Sequence, residues 1–249
     1  MSMSSASTVA NDIRRLLKRG GSREHAIGVQ WFFKDEIKSH GWRTASLRKA
    51  ASQVRRTIAK ERGLPLLLSV ADKLFSGTNL EEKTFGVLLL ETLTEDFSDV
   101  EFRMFESWIS RISSWADHDG LVHYLIAPMV AAKASRTKNV FRWAKSKDRW
   151  HRRAACVALI KGTRRKMFFP EIKRLTAILL DDEDDMVQKG LGWLLRETAK
   201  YDAKKTVPYL MTLRERAPRL VLRTACETLP APAKEQVLLK RPHFRSHAK

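Results

Sequence analysis

The chain has 249 residues, 43% hydrophobic and 30% charged, enough apolar side chains for one large domain or a continuous repeat array. Its 47 Lys and Arg against 28 Asp and Glu leave a formal charge of +19, which favours polyanionic partners and costs self-repulsion in the folded state. Cys156 and Cys226 have no Cys or His at ligand spacing, so neither a disulfide framework nor a structural zinc is expected; the N-terminal Met-Ser-Met-Ser-Ser-Ala-Ser does not read as a signal peptide, and no apolar run nears the ~20 residues that span a bilayer.

The periodicity is helical throughout, without convincing strand alternation. Ser7 opens an amphipathic stretch with Ile13, Leu16 and Leu17 before Gly20-Gly21, and a second helix runs from Ser22 to about Phe33. Thr44 is expected to cap a long basic helix over 45–61, with Gly63-Leu-Pro65 starting the next. Asn79 begins 80–93, and Ser98-Asp-Val-Glu101 has the spacing of a capping box. Further helices are expected over 117–133, 137–146, 149–161, 170–180, 185–199, 203–216, 218–228 and 231–240, with Pro128 kinking or shortening its own. Helix pairs recur at roughly the ~40–47-residue spacing of HEAT-type repeats. A single pair cannot cover its own apolar face, so neighbours stack. The expected fold is all-α, an α–α superhelix of HEAT-like repeats with a concave basic face, forming one domain over 1–240 before a basic, poorly ordered tail at 241–249.

Charge is segregated. Residues 133–174 hold fifteen Lys and Arg with only Asp148 and Glu171 as acids, whereas 79–106 hold eight acids against Lys83 and Arg103. Three segments carry chemistry. In Ser114-Trp115-Ala-Asp117-His118-Asp119, Trp115 reads as ending one helix and Asp119 as lying in the first turn of the next; capping explains Asp117 and leaves Asp119 and Trp115 without a role. In Asp148-Arg149-Trp150-His151-Arg152-Arg153, three arginines share one arc at a helix N-terminus, against the dipole, as if awaiting a phosphate; Trp150 reads as core. On the helix after Asp181-Asp-Glu-Asp-Asp185, read as a solvated capping turn, Val187, Leu191, Leu194 and Leu195 form the buried arc. Trp193 falls opposite them, between Lys189 and Arg196, and the flanking Gly190 and Gly192 imply that something bulky approaches the backbone. An aromatic ringed by cations suits nucleic acid.

These segments, Ser-Trp115-x-x-x-Asp119, Trp143-x-x-Ser146 followed by Trp150-x-Arg-Arg153-Ala-Ala, and Val187-Gln-Lys-Gly-x-Gly-Trp193-x-Leu-Arg-Glu197, together with Gly41-Trp-Arg-Thr-x-x-Leu-Arg48, resemble the AlkD-like alkylpurine DNA glycosylases, built from HEAT-like repeats. The resemblance runs over nearly the whole chain. It implies excision of N3- and N7-alkylated purines, such as 3-methyladenine and 7-methylguanine, from duplex DNA. It makes Asp119 the catalytic carboxylate, Trp115 and Trp193 the aromatic pair on the lesion-bearing deoxyribose and backbone, and Arg153 a phosphate-holding arginine. Arg149, Arg152, Lys189 and Arg196 are expected to join Arg153 on the DNA, and Trp31, Phe32 and Arg43 lie where that family places further DNA-facing groups. The expected partner is double-stranded DNA containing alkylated purines, bound by a cytoplasmic monomer with no cofactor, no metal and no membrane contact. A non-catalytic HEAT-like module that binds damaged or branched DNA is the alternative, and a peptide-binding solenoid the third reading.

Overall fold

A computed structural model describes residues 5–239; the tail at 241–249 lies outside the described residues. In chain order the helices are α1 (Ala6–Gly20), α2 (Arg23–Gln30), α3 (Thr44–Phe75), α4 (Leu80–Leu90), α5 (Asp99–Trp108), α6 (Trp115–Leu121), α7 (Ala127–Ala132), α8 (Thr137–Trp143), α9 (Arg149–Val157), α10 (Ile160–Thr163), α11 (Phe169–Leu179), α12 (Asp185–Tyr201), α13 (Ala203–Leu213), α14 (Arg219–Ala225) and α15 (Ala231–Leu238). No strand occurs among the described residues, and none of their helices is long and apolar enough to cross a membrane. The chain divides into two compact units, Met1–Met129 and Val130–Lys249.

In the first unit local signals set most helix starts. Ser22 and Asn79 cap α2 and α4, and the Ser98–Glu101 capping box closes reciprocally at α5. Two expected starts shift: Ser5, not Ser7, caps α1, and Thr44 is the first residue of α3, with Arg43 at the cap position and no side-chain cap. Gly63 breaks α3 with φ of 68°, a left-handed conformation that glycine adopts without a Cβ clash, so the basic segment and the one opened by Pro65 are two rods with a kink between them. The core centres on aromatic side chains: Phe75 stacks on Trp108 at 4.7 Å, and Phe105 meets the same indole edge-on at 5.2 Å. Pro128 splits its helix as expected. Residues Val122–Ile126 form a π-turn, in which the Ala127 N–H reaches back to the Val122 carbonyl; the wider turn lets the chain pass a residue that can neither donate nor tolerate the carbonyl four residues before it.

In the second unit α12 packs against α9 and α14, α8 packs against α9, α11 against α9 and α12, and α13 beside α12. Val187, Leu191, Leu194 and Leu195 are fully buried, as the helical wheel requires. The two glycines of α12 answer to neighbouring helices rather than to a ligand. A Cβ at Gly192 would lie 2.6 Å from the Thr224 Cβ on α14, and one at Gly190 would lie 3.1 Å from the Arg153 Cγ on α9. Cys156 is buried at the same contact, where desolvation pushes its thiol up to about 12 and leaves it unreactive.

Candidate functional site

In the first unit the candidate site is built on α6. Ser114 is its N-cap, and the Ser113 and Ser114 N–H groups donate to Asp117 at 2.9 and 2.7 Å, so Asp117 closes a capping box. The buried Lys83 ammonium lies 3.0 Å from the same carboxylate. Trp115 is therefore the first residue of α6 rather than the end of the preceding helix. Asp119 lies in its second turn, beyond the orphan N–H groups that a cap or the dipole could use. Asp117, not Asp119, closes the α6 cap.

Trp115 and Asp119 are four residues apart and share one face of α6. The indole of Trp115 is 37% exposed; its inner face stacks on Phe33 at 5.1 Å and its Nε1–H donates to the Phe32 carbonyl at 3.3 Å. The Asp119 side chain is 21% accessible, and its Oδ1 is 2.7 Å from Nδ1 of the fully buried His118. An acid with one oxygen held from the core and a partly open flank is thus set one turn from an aromatic face. Tyr124, half exposed on the π-turn, lies 5.3 Å from the Arg48 guanidinium.

The remaining sequence-predicted residues of this unit are on the surface. Trp31 is 87% exposed and Phe32 74%, in the turn that leaves α2. Arg43 is exposed at the start of α3, on a strap fastened by Glu81, which accepts from the Ser39 hydroxyl and from the His40, Gly41 and Trp42 N–H groups at 2.7–3.2 Å. Trp42 turns inward and donates to the Leu17 carbonyl at 2.8 Å, so it is a packing residue. Sequence reasoning missed Phe33, and placed His118 beside the site without giving it a role. Phe33 sits in the run Trp31-Phe-Phe33, where the chain has already left the helix and periodicity no longer tells which ring turns inward.

In the second unit Trp193, expected to be displayed opposite the Leu191–Leu194 arc of α12, is half-buried. The arginine cluster is corrected. Asp148 caps α9, its side chain accepting from the Trp150 N–H at 2.9 Å, and the segment 182–186 supplies the anions and acceptors that a phosphate was expected to bring. Arg152 pairs with the nearly buried Asp182 at 2.6 Å and donates to the Ser146 and Lys147 carbonyls at 3.0 and 2.8 Å. Arg153 is only 5% exposed and donates to the Met186 carbonyl at 2.7 Å. Arg149 lies 3.7 Å from Asp184 and 4.8 Å from the Trp150 ring. The acidic run is therefore the counterion of the arginines as well as the cap of α12, where Asp184 accepts from Met186 and Val187, and it is not merely a solvated turn. Lys189 pairs with Asp185 at 3.3 Å, and Arg196 pairs with Glu227 and with Glu197.

Arg153→Ala is accordingly expected to cost ~1–3 kcal/mol of stability, because the Met186 carbonyl loses its donor and the α9–α12 contact its filling. Denaturant unfolding measures this, and an unchanged midpoint would mean that the arginine does not join the two helices. Among the described residues no cluster of His, Cys, Asp and Glu could hold a metal ion.

The class of protein follows from the fold. The chain is an all-α, α–α superhelical repeat protein, similar to the solved structure of a predicted DNA alkylation repair enzyme from Enterococcus faecalis, with a TM-score of 0.75, 17% identity, and 85% of this chain and 97% of that one covered. The model of the DNA alkylation repair enzyme family matches residues 13–229, and the protein belongs to that family. No curated protein matches the chain in sequence. A DNA repair family implies DNA as the partner.

Proposed function

We propose that the protein is a DNA glycosylase that excises N3- and N7-alkylated purines, 3-methyladenine and 7-methylguanine among them, from duplex DNA. The observation that carries this reading is the Asp119 carboxylate: held at 2.7 Å by a buried histidine, partly open, unused by the helix cap, and one turn from the half-exposed Trp115. A purine alkylated at N3 or N7 is cationic. When its N-glycosidic bond breaks, the base leaves with the bonding pair as a neutral molecule and needs no strong general acid. Positive charge then concentrates on the deoxyribose, as in other oxocarbenium-like cleavages. A fixed carboxylate at Asp119 stabilises that charge and orients the water that adds to C1′, the displaced proton passing to solvent. The Trp115 face adds attraction for the cation, about 0.5–2 kcal/mol when desolvated. The exposed Trp31, Phe32 and Arg43 are assigned to DNA contact in the same unit. Trp193, with Lys189 and Arg196 beside it, is assigned to the DNA backbone in the second.

His118 serves this reading by holding the carboxylate rather than by moving a proton. His118→Leu, which removes the donor but keeps the volume, is expected to lower excision about tenfold or more, the worth of a hydrogen bond to a charged group. His118→Asn, which returns an N–H near the Nδ1 position, should recover most of the loss. Equal activity in the two variants would show that His118 only fills space. The proposed function itself is tested on a duplex with a single 7-methylguanine, incubated with the pure protein and then heated in alkali. Strand scission at that position is expected, and an intact strand would leave a damage-binding module in place of an enzyme.

A further inference from the structure

The second unit carries cations of two kinds. Those flanking Trp193 on α9 and α12 are matched to protein acids: Arg149 to Asp184, Arg152 to Asp182, Lys189 to Asp185 and Arg196 to Glu227. Three on α8 and α11 are not. Lys138, Lys173 and Arg174 are exposed, and among the described residues none of them makes an ion pair. Arg164 and Lys166, in the turn before α11, are exposed and likewise unmatched. Part of the unmatched charge of the cation-rich segment 133–174 identified in the sequence thus lies on these two helices and in the turn before α11.

The layer is also organised. The Arg174 guanidinium lies 4.2 Å from the centroid of the Phe141 ring on α8, and the Lys173 ammonium 5.6 Å from the Tyr209 ring on α13. Phe169 meets Tyr209 edge-on at 6.1 Å, which ties α11 to α13. A depression of about 380 Å³ between α8 and α11 is lined by Ser135, Thr137, Lys138, Phe141, Glu171 and Arg174, with Glu171 its one acid. A cation resting on an aromatic face loses less conformational freedom when it meets a phosphate, and a guanidinium so placed keeps N–H donors at its edge for phosphate oxygens. Unmatched cations also have no protein partner to give up when they bind.

We infer that the α8–α11 layer is a second DNA-backbone surface, separate from the Trp193 face, that takes duplex phosphates without regard to sequence or damage. It rests on the proposed function only for duplex DNA as the partner. Its contribution is affinity for unmodified DNA, which keeps the protein on the duplex between lesions, and it takes no part in the chemistry.

The test is the salt dependence of binding to an unmodified duplex, followed by fluorescence anisotropy with the full-length protein and with the triple variant Lys138→Gln, Lys173→Gln, Arg174→Gln. Each lost phosphate contact lowers the slope of log affinity against log salt by about 0.9, so a drop of about 2 to 3 is expected. Thermal unfolding and excision at saturating methylated substrate should not change. An unchanged slope overturns the inference, as does a wild-type protein that fails to bind duplex DNA. Wild-type excision with no change of slope in the variant removes this surface and leaves the proposed function. A fallen slope without wild-type excision does the reverse.

Discussion

Asp119→Asn is expected to lower single-turnover excision of 7-methylguanine by ~10²–10³-fold while leaving the melting temperature and duplex affinity close to wild type. The size follows from removing one preorganised electrostatic group from a site where charge develops. The selectivity follows from the structure. Asp119 stands in the second turn of α6, outside the cap, with a partly open side chain, and asparagine there leaves the capping box of Ser114 and Asp117 in place. Asparagine keeps the shape and an oxygen that His118 Nδ1–H can reach. Single-turnover kinetics with a melting curve checks this. A variant that unfolds, or one that excises like wild type, would make Asp119 structural or incidental.

Asp117→Ala should do the opposite, although it lies only two residues away. Its carboxylate accepts the Ser113 and Ser114 N–H groups and sits 3.0 Å from Lys83, with both charged side chains almost wholly buried. Breaking a buried pair by removing one partner strands the other charge and costs ~3–5 kcal/mol. For a chain of this size that is a fall of about 6–20 °C in melting temperature. Excision per folded molecule should be retained at low temperature, and the loss should grow on warming as the protein unfolds. A variant of normal stability would refute the assignment of Asp117 to the α6 cap. The two aspartates separate stability from chemistry on one turn of helix.

Much of this was legible in the sequence because it is local. The Ser98–Glu101 box, the Asp184 cap and the buried arc of α12 are written within a turn or two of helix, and the structure has each of them. The opposed position of Trp193 is a consequence of the same arc. What escaped depends on residues distant in sequence. Arg152 finds Asp182 thirty positions later, and no spacing rule links a helix N-terminus to an acidic turn that far away, so the cluster read as waiting for an external anion. Gly190 and Gly192 read as an approach route for a ligand for the same reason, since the atoms that crowd them come from α9 and α14. The bond between His118 and Asp119 was hidden differently. Neighbouring helical side chains diverge by about 100°, so adjacency gives no warning that two of them meet.

Asp119 is proposed to stabilise the sugar cation as the bond between an alkylated purine and its deoxyribose breaks. The measurement that reaches this role most directly is chromatography of the free bases released from N-methylated duplex DNA by the wild-type protein and by Asp119→Asn, side by side. The account predicts 7-methylguanine and 3-methyladenine in solution with wild type, equal numbers of abasic sites left in the duplex, and almost none of either with the variant. Methylated DNA that wild type binds without releasing a base, or equal release by both proteins, would contradict it.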